Sequence, residues 1–489
     1  MSRLPRDSRR AAASLVFALA AAVGACSLAP TYTRPQPPMP AGYKEEAGWQ
    51  PASPAAALPK GAWWTVFGDP ALSALEDRLT AANQTLKAAT AHFAQARAAA
   101  DYARADYFPQ VTAAASSTRL RHSTTVALDF KPAIYSDHLL AADLSYEVDL
   151  WGRVRNEVAA AGDRAEASQD DLAAINLALH AELAADYFAL HGYDGQQQVL
   201  DQTVSAYGRA LTLTINRYKG GAATEGDVDQ AQTQLEAAKT QASDTRLKRA
   251  QMEHAIAILI GEPPASFSLP AAPLAATPPA VTPGLPSALL ERRPDIAAAE
   301  RRVAAANAEI GVARAAYYPD FSLSALAGME TATPGVWFTA PSQVWALGPS
   351  AAMTLFDGGR IAALNAGARA AYDEAAADYR QTVLTAFGEV EDNLAALALL
   401  AQEAATQDAA VAAARRELKQ ARRRYTGGLV TYLEVVAAQN TALSAELTAV
   451  DILTRRMTAS LRLVKALGGG WTAAAAGTSR ATPPAGPNG

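Results

Sequence analysis

Apolar residues near the C-terminal end recur every seven positions. Val436, Leu443, Val450, Met457 and Val464 form one row; Leu433, Asn440, Leu447 and Leu461 form a companion row interrupted by the polar Thr454. Heptads of this kind predict a helix over about 431–467 packed as a coiled coil. Upstream, Val383, Phe387, Val390, Leu394 and Leu397 keep a 4-3-4-3 spacing. Gly427-Gly428 separates the two helices, where glycine admits the positive φ of a helix stop. Elsewhere the period is two. Residues 139–150 set Leu140, Ala142, Leu144, Tyr146, Val148 and Leu150 against Ala141, Asp143, Ser145, Glu147 and Asp149. Residues 321–329 set Phe321, Leu323, Ala325, Ala327 and Met329 against Ser322, Ser324, Leu326 and Gly328. Alternation over about 10 residues is the signature of a strand with one face in lipid. Segments 111–121 and 344–355 carry it less cleanly: the first is mostly Ala, Ser and Thr, and the second contains Pro349, which removes a ladder bond.

These patterns occur twice. Arg217-Tyr218-Lys219-Gly220-Gly221 returns as Arg424-Tyr425-Thr426-Gly427-Gly428, 207 residues on, and Arg153/Arg360 and Gly261/Gly468 share the offset. At an offset of 210, Tyr107-Phe108-Pro109 matches Tyr317-Tyr318-Pro319. The chain is a tandem duplication, each copy reading helix, β-hairpin, long helix, turn, long helix. The expected fold is α+β, a duplicated helix–hairpin–coiled-coil membrane protein. Repeat 1 covers 69–261 with strands at about 111–121 and 137–150 and a helical hairpin at about 153–260. A Pro-rich segment, 262–286, leads to repeat 2 at 287–470, with strands at about 321–330 and 344–355 and a hairpin at about 360–467. Residues 26–68 read as an extended N-terminal tether and 471–489 as a disordered tail.

Lengths constrain the packing. A helix over 153–218 spans roughly 100 Å, whereas 226–260 covers only about 50 Å. A helix at about 83–107 stacked end to end would supply the difference, and one at about 293–317 does so in repeat 2. Gly192 and Gly195 interrupt the seam of repeat 1 and predict a bend. Four strands cannot close a barrel, since the smallest membrane barrels use eight. The chain must therefore oligomerise; three copies give twelve strands.

The N-terminus adds an address. Arg3, Arg6, Arg9 and Arg10 precede an apolar stretch, Ala11 to Ala25, which is too short to span a bilayer. Residues 1–25 read as a signal peptide. Val23-Gly24-Ala25-Cys26 resembles a lipobox, so Cys26, the one cysteine, is expected to carry diacylglycerol and an acyl chain. Ser27 in place of Asp implies sorting to the outer membrane. A single cysteine excludes disulfides and a Cys-based metal site. His180 and His191, lacking a third ligand, read as surface residues rather than a metal site. The net charge of −5 leaves no footprint for nucleic acid. No HExxH, Walker A, GxSxG or GxGxxG motif is present, so no catalytic residue, metal or other cofactor is expected.

The stretch Gly284-Leu285-Pro286-Ser287-Ala288-Leu289-Leu290-Glu291-Arg292-Arg293-Pro294-Asp295-Ile296 resembles the GLPSxLLxRRPDI signature of outer-membrane factors of tripartite efflux systems, the TolC/OprM class, in its NodT-like lipoprotein branch. Tyr317-Tyr318-Pro319, Leu355-Phe356-Asp357-Gly358-Gly359-Arg360, Ala466-Leu467-Gly468-Gly469-Gly470-Trp471 and Cys26-Ser27-Leu28-Ala29-Pro30 support it. The resemblance implies a homotrimer with a 12-stranded barrel in the outer membrane of a Gram-negative cell and a periplasmic helical tunnel closed at its tip. It implies two partners, a periplasmic adaptor and an inner-membrane pump of RND type, with small toxic molecules or drugs as cargo. Carried over, the tip tyrosine falls on Tyr425, its aspartate partner on an adjacent coiled coil on Asp227, and the constriction acid of repeat 2 on Glu434. A second ring acid falls on Ala437 and a tip arginine on Val430, so both are absent here. Adaptor docking falls on Arg217, Tyr218, Gly220, Gly221, Arg424, Tyr425, Gly427 and Gly428. Two other readings stand: a type I protein-secretion channel, and a periplasmic coiled-coil adaptor with no barrel.

Overall fold

A computed structural model describes residues 27–46, 61–121, 134–275, 277–279 and 289–471. The signal peptide, Cys26, the first residues of the Gly284–Ile296 motif and the C-terminal tail lie outside them. Helices and strands run α1 (Pro70–Ala82), α2 (Gln84–Arg104), β1 (Gln110–Arg121), β2 (Ile134–Glu147), α3 (Arg153–Lys219) and α4 (Glu225–Leu259) in repeat 1. Repeat 2 runs α5 (Leu289–Arg292), α6 (Pro294–Ala315), β3 (Asp320–Thr331), β4 (Gln343–Ala352), α7 (Arg360–Thr426) and α8 (Tyr432–Ala466). All four bounds of the helical hairpins repeat at an offset of 207. The residues fall into two compact units: one of residues up to Gln36, His92–Gln169 and Ala298–Arg380, the other of Pro37–Ala91, Asp170–Ala297 and Gln381 onward.

The first unit holds one antiparallel sheet in the order β1-β2-β3-β4. Its register gathers the apolar positions of all four strands on one face. Val111 lies opposite Leu144, Ala113 opposite Ala142, and Ala115 opposite Leu140. Next come Leu140 opposite Met329 and Tyr146 opposite Leu323, then Ala327 opposite Trp345, Ala325 opposite Leu347 and Phe321 opposite Ala351. The other face carries Thr112, Asp143, Ser145, Ser322, Ser324 and Ser350. Trp345 and Leu347 are 77% and 67% exposed, so no described residue covers the apolar face there. Three predicted limits are corrected. β2 starts at Ile134 rather than 137. β2 ends at Glu147, because Leu150 N–H turns back onto the Val148 carbonyl at 2.8 Å. β4 ends at Ala352 rather than 355. Pro349 is accommodated because β4 is an edge strand within the chain. Where β2 gives way to α3, Arg153 forks onto Glu147 at 2.5 and 2.7 Å, and Trp151 stacks on Tyr318 with ring centres 4.7 Å apart.

In the second unit the end-to-end helix junctions are built twice. Asn83, between α1 and α2, donates Nδ2 to the Leu259 carbonyl at 2.7 Å. Arg293, its counterpart, donates Nη1 to the Ala466 carbonyl at 3.1 Å and also holds Asp295 and Glu389 at 2.7 and 2.6 Å. Beside each, a glycine at positive φ allows close backbone approach: Gly261 against Ala82 and Gly468 against Arg292. A Cβ there would collide with a carbonyl oxygen. The Arg-Arg-Pro-Asp stretch is thus a helix-splicing device.

α3 runs as one helix through Gly192 and Gly195. A Cβ on Gly192 would meet the Thr454 side chain, and one on Gly195 would lie 3.1 Å from Val450, so the glycines admit the facing helix. Leu433 is 59% exposed and Asn440 is exposed; near the tip the seam is made by Tyr432, Val435, Val436, Gln439 and Ala442. His180 and His191 are buried, not surface residues. His180 Nδ1 lies 2.5 Å from Glu76 Oε2, with Trp64 stacked on its ring; His191 Nδ1 contacts Asp194 and the Ala272 carbonyl. Nor is the described part of the N-terminal segment a free tether. In the first unit Ser27 donates to Asn156, Arg314 to the Leu28 carbonyl, Asn307 to the Pro30 carbonyl and Tyr32 to Glu300, while Arg34 donates to Tyr379. In the second unit the amides of Lys44 and Glu45 donate to Glu391, and Tyr43 is buried.

Candidate functional site

Both helical hairpins turn with the same backbone motif. Ala222 N–H reaches the Arg217 carbonyl at 2.8 Å and Gly221 N–H the Tyr218 carbonyl at 2.9 Å; Leu429 and Gly428 do the same to Arg424 and Tyr425 at 2.9 and 3.0 Å. This is a Schellman stop. Only the second glycine of each pair needs the left-handed region, with φ of +73° at Gly221 and +74° at Gly428.

On this shared backbone the side chains diverge. Asp227 closes a capping box: its carboxylate accepts from Thr224 N–H at 2.9 Å, and its own N–H donates to Thr224 Oγ1 at 3.2 Å. Glu434 occupies the equivalent position, but Thr431 makes no side-chain cap. The longer acid instead accepts from Arg424 Nη1 at 3.0 Å, with both partners about half exposed. Tyr218 is 46% exposed whereas Tyr425 is 6% exposed. Tyr425 sits edge-on to Tyr432, ring centres 5.3 Å apart, and the Arg217 guanidinium lies over its ring at 4.7 Å. Arg217 also donates to the Thr426 carbonyl at 3.3 Å. The second tip is therefore held by an arginine from the first.

A cleft of about 200 Å³ opens beside Tyr425, lined by Arg209, Leu213, Arg422, Tyr432 and Val435 among others. Within it the Tyr425 hydroxyl is buried and makes no hydrogen bond inside the chain. Burial, then the neighbouring Tyr425, raises the pKa of Tyr432, so the Tyr432 phenol stays a protonated donor at neutral pH. Val430 packs on this cluster and Ala437 is exposed. Asp227 and Tyr425 make no recorded contact within the chain. The Arg217–Tyr425 contact and the part played by Tyr432 were not anticipated from sequence. Their signal was available: position 432 is Tyr where its repeat equivalent, 225, is Glu. No helix among the described residues is long and apolar enough to cross a membrane, and no cluster of metal-ligating side chains occurs among them.

A family model described as outer membrane efflux protein matches residues 75–262 and 285–469, one stretch in each repeat. The chain is 34% identical to the outer membrane protein OprJ of Pseudomonas aeruginosa over 93% of this chain and 95% of that protein. It is 32% identical to the toluene efflux pump outer membrane protein TtgC of Pseudomonas putida, over 92% and 93%. Among solved structures, the outer-membrane channel OprN matches with a TM-score of 0.83 and 29% identity, over 91% of this chain and all of that one. CusC, described in terms of transmembrane channel formation, matches at 0.81 and 28%, over 91% and 100%. These likenesses run through both hairpins and the sheet and set aside an adaptor without a barrel. The chain belongs to the outer membrane efflux protein family.

Proposed function

We infer that this outer-membrane efflux component works as a homotrimer, in which three four-stranded sheets close a 12-stranded barrel and the helical hairpins form the duct beneath it. The observation that carries the reading is the sheet itself. One face carries apolar residues from all four strands, the other carries Thr112, Asp143, Ser145, Ser322, Ser324 and Ser350, and both outer edges, β1 and β4, are unpaired among the described residues. Unpaired edges cannot face lipid, so copies must pair edge to edge. Exposed Leu213, Leu247, Leu399, Leu429 and Leu433 on the hairpins give a second surface for neighbouring copies.

The duct passes small toxic molecules or drugs delivered by an inner-membrane pump of RND type through a periplasmic adaptor that docks at the two Gly-Gly tips. Relatives named for toluene and antibiotic efflux support this cargo class. A lipid on Cys26 anchors the chain. At rest, Tyr425 donates to Asp227 of an adjacent coiled coil; its buried, unmatched hydroxyl supports that assignment. The acids Asp227 and Glu434 line the constriction and bias it towards cations. Native mass spectrometry and planar-bilayer recordings on the purified protein test the core of the reading. A trimer with discrete conductance is expected; a monomer, or a trimer that conducts nothing under any gate-opening substitution, contradicts it. Type I secretion remains the second reading, and loss of protein export rather than of drug efflux on deletion would favour it.

A further inference from the structure

The loop joining β3 to β4 is the uncharged run Ala332-Thr333-Pro334-Gly335-Val336-Trp337-Phe338-Thr339-Ala340-Pro341-Ser342. It is folded back on itself: the Ser342 hydroxyl donates to the Val336 carbonyl at 2.8 Å and Thr339 N–H to the same carbonyl at 3.2 Å. It sits at the end of the sheet away from the helices, since β3 enters from α6 and β4 leaves towards α7. Its direction is fixed by His138. That side chain shares the face of Leu140, Ala142 and Leu144, the apolar face. His138 Nδ1 lies 2.8 Å from the Ser117 hydroxyl, and the Trp337 ring packs against the imidazole with centres 5.4 Å apart. Trp337 Nε1 donates to the Met329 carbonyl at 3.3 Å. Phe338 stacks on Trp337, centres 5.6 Å apart and planes 16° from parallel, and is 71% exposed.

The loop thus leans over the apolar face rather than over the polar one, and it prolongs that face by two aromatic rings. On the same face, beyond Ser117, stand the exposed Arg119 and Arg121, opposite Ser136 and Ile134. The acid nearest in register, Asp137, is opposite Thr118 and therefore belongs to the polar face. An apolar band, then aromatic rings with a bound indole N–H, then guanidinium groups is the order of chemistry met on leaving a bilayer: acyl chain, interface, phosphate.

We propose that the 332–342 loop is a lipid anchor at the outer rim of the barrel: Trp337 and Phe338 lie in the interface, and Arg119 and Arg121 pair with lipid phosphate. This rests on the lipid-facing assignment of the apolar face. Single cysteines at Phe338, Leu144 and Ser145 carry a nitroxide in the full chain reconstituted into phosphatidylcholine vesicles, with or without phosphatidylglycerol; the wild type corrects for labelling at Cys26. The Leu144 label should be reached by oxygen, and the Ser145 label by an aqueous nickel chelate. If both are reached alike, the barrel assignment itself fails. If they differ, the Phe338→Cys label should respond as a lipid-exposed interfacial site. Access by the nickel chelate equal to that at Ser145 would place the loop in the lumen or in water and overturn the proposal. In phosphatidylglycerol vesicles, Arg119→Gln with Arg121→Gln should move the Phe338 label to a shallower depth, with no shift in pure phosphatidylcholine. The same depth in both lipids would remove the phosphate contact.

Discussion

A tyrosine hydroxyl without a partner costs about 1–3 kcal/mol when buried, and Tyr425 carries one. In the trimer proposed above the partner of that hydroxyl is Asp227 of a neighbouring coiled coil. A hydrogen bond to a carboxylate is worth about 1.5–3 kcal/mol, so in the proposed trimer three symmetric bonds would bias the duct towards closure by about 4.5–9 kcal/mol. Tyr425→Phe should therefore raise single-channel conductance and admit large antibiotics that the wild type excludes. An unchanged conductance with the trimer intact would rule the lock out. Arg217→Ala, which removes the cover from the Tyr425 ring, should loosen the same tip without touching Asp227. The carboxyl of Glu76 gives a second test. Burial pushes its pKa up, to about 9, and pushes that of His180 down, to about 4. Above pH 6.5 the imidazole is neutral in folded and unfolded chains alike, while Glu76 keeps its proton only when folded. Stability then falls as pH rises from 6.5 to about 9, by about 1.4 kcal/mol per pH unit. Melting temperatures of the wild type should drop across that range, and Glu76→Gln should flatten the profile; parallel profiles would show that Glu76 is already ionised.

Periodicity announces a helix or strand but not what lies across from it, and the helices and strands here divide along that line. The hairpin limits recur to the residue because a 3.6-residue pattern, its glycine stop and its duplicate all agree. The seam of α8 did not follow the heptad rows throughout: Leu433 is exposed while Tyr432 and Val435 are buried. In the tube proposed above a helix would have two flanks, one against its own hairpin partner and one against a neighbouring copy, both apolar in sequence. What Gly192 admits is equally hidden in sequence: the Thr454 side chain it faces lies 262 positions away. Gly192→Leu should destabilise the hairpin by about 1–3 kcal/mol through overpacking, with partial recovery when Thr454→Ala is added. In the sheet, alternation runs on through Val148, whose N–H still reaches the Phe321 carbonyl of β3 at 2.8 Å, and through Leu150, where the chain already turns back. The faces themselves are distinct. Leu144→Arg should cost about 2–4 kcal/mol near the bilayer midplane, whereas Ser145→Arg should be mild. Urea titration of the folded protein in vesicles measures both, and equal costs would mean that the faces are misassigned.

In the trimer proposed above the duplication would give six hairpins on one backbone plan, yet the two tips within a chain differ. One carries an exposed Tyr218 and a self-capped Asp227; the other carries a buried Tyr425 and an Arg424–Glu434 pair. An adaptor would thus meet two kinds of tip in alternation. The site was legible in sequence as far as the motif that repeats, and illegible where the copies have drifted, as at Glu225 and Tyr432. Lipidation is decided by mass spectrometry of the mature N-terminus: diacylglycerol on Cys26 is expected, and cleavage elsewhere would refute it. Cys26→Ser should alter sorting yet leave trimers intact.

The N-terminal segment, finally, changes what an anchor means for this molecule. Ser27, Leu28, Pro30 and Tyr32 are each fastened to the fold within a few residues of Cys26. If Cys26 carries the lipid proposed above, that lipid would have little slack. It would act less as a buoy on a long line than as a fixed peg, one residue from Ser27, which is held on Asn156 at the start of α3. Acyl chain and strands would then have to enter the same leaflet in register. A peg moved by inserting flexible residues between Ser27 and Pro30 should slow assembly even though every strand and every helix is unchanged.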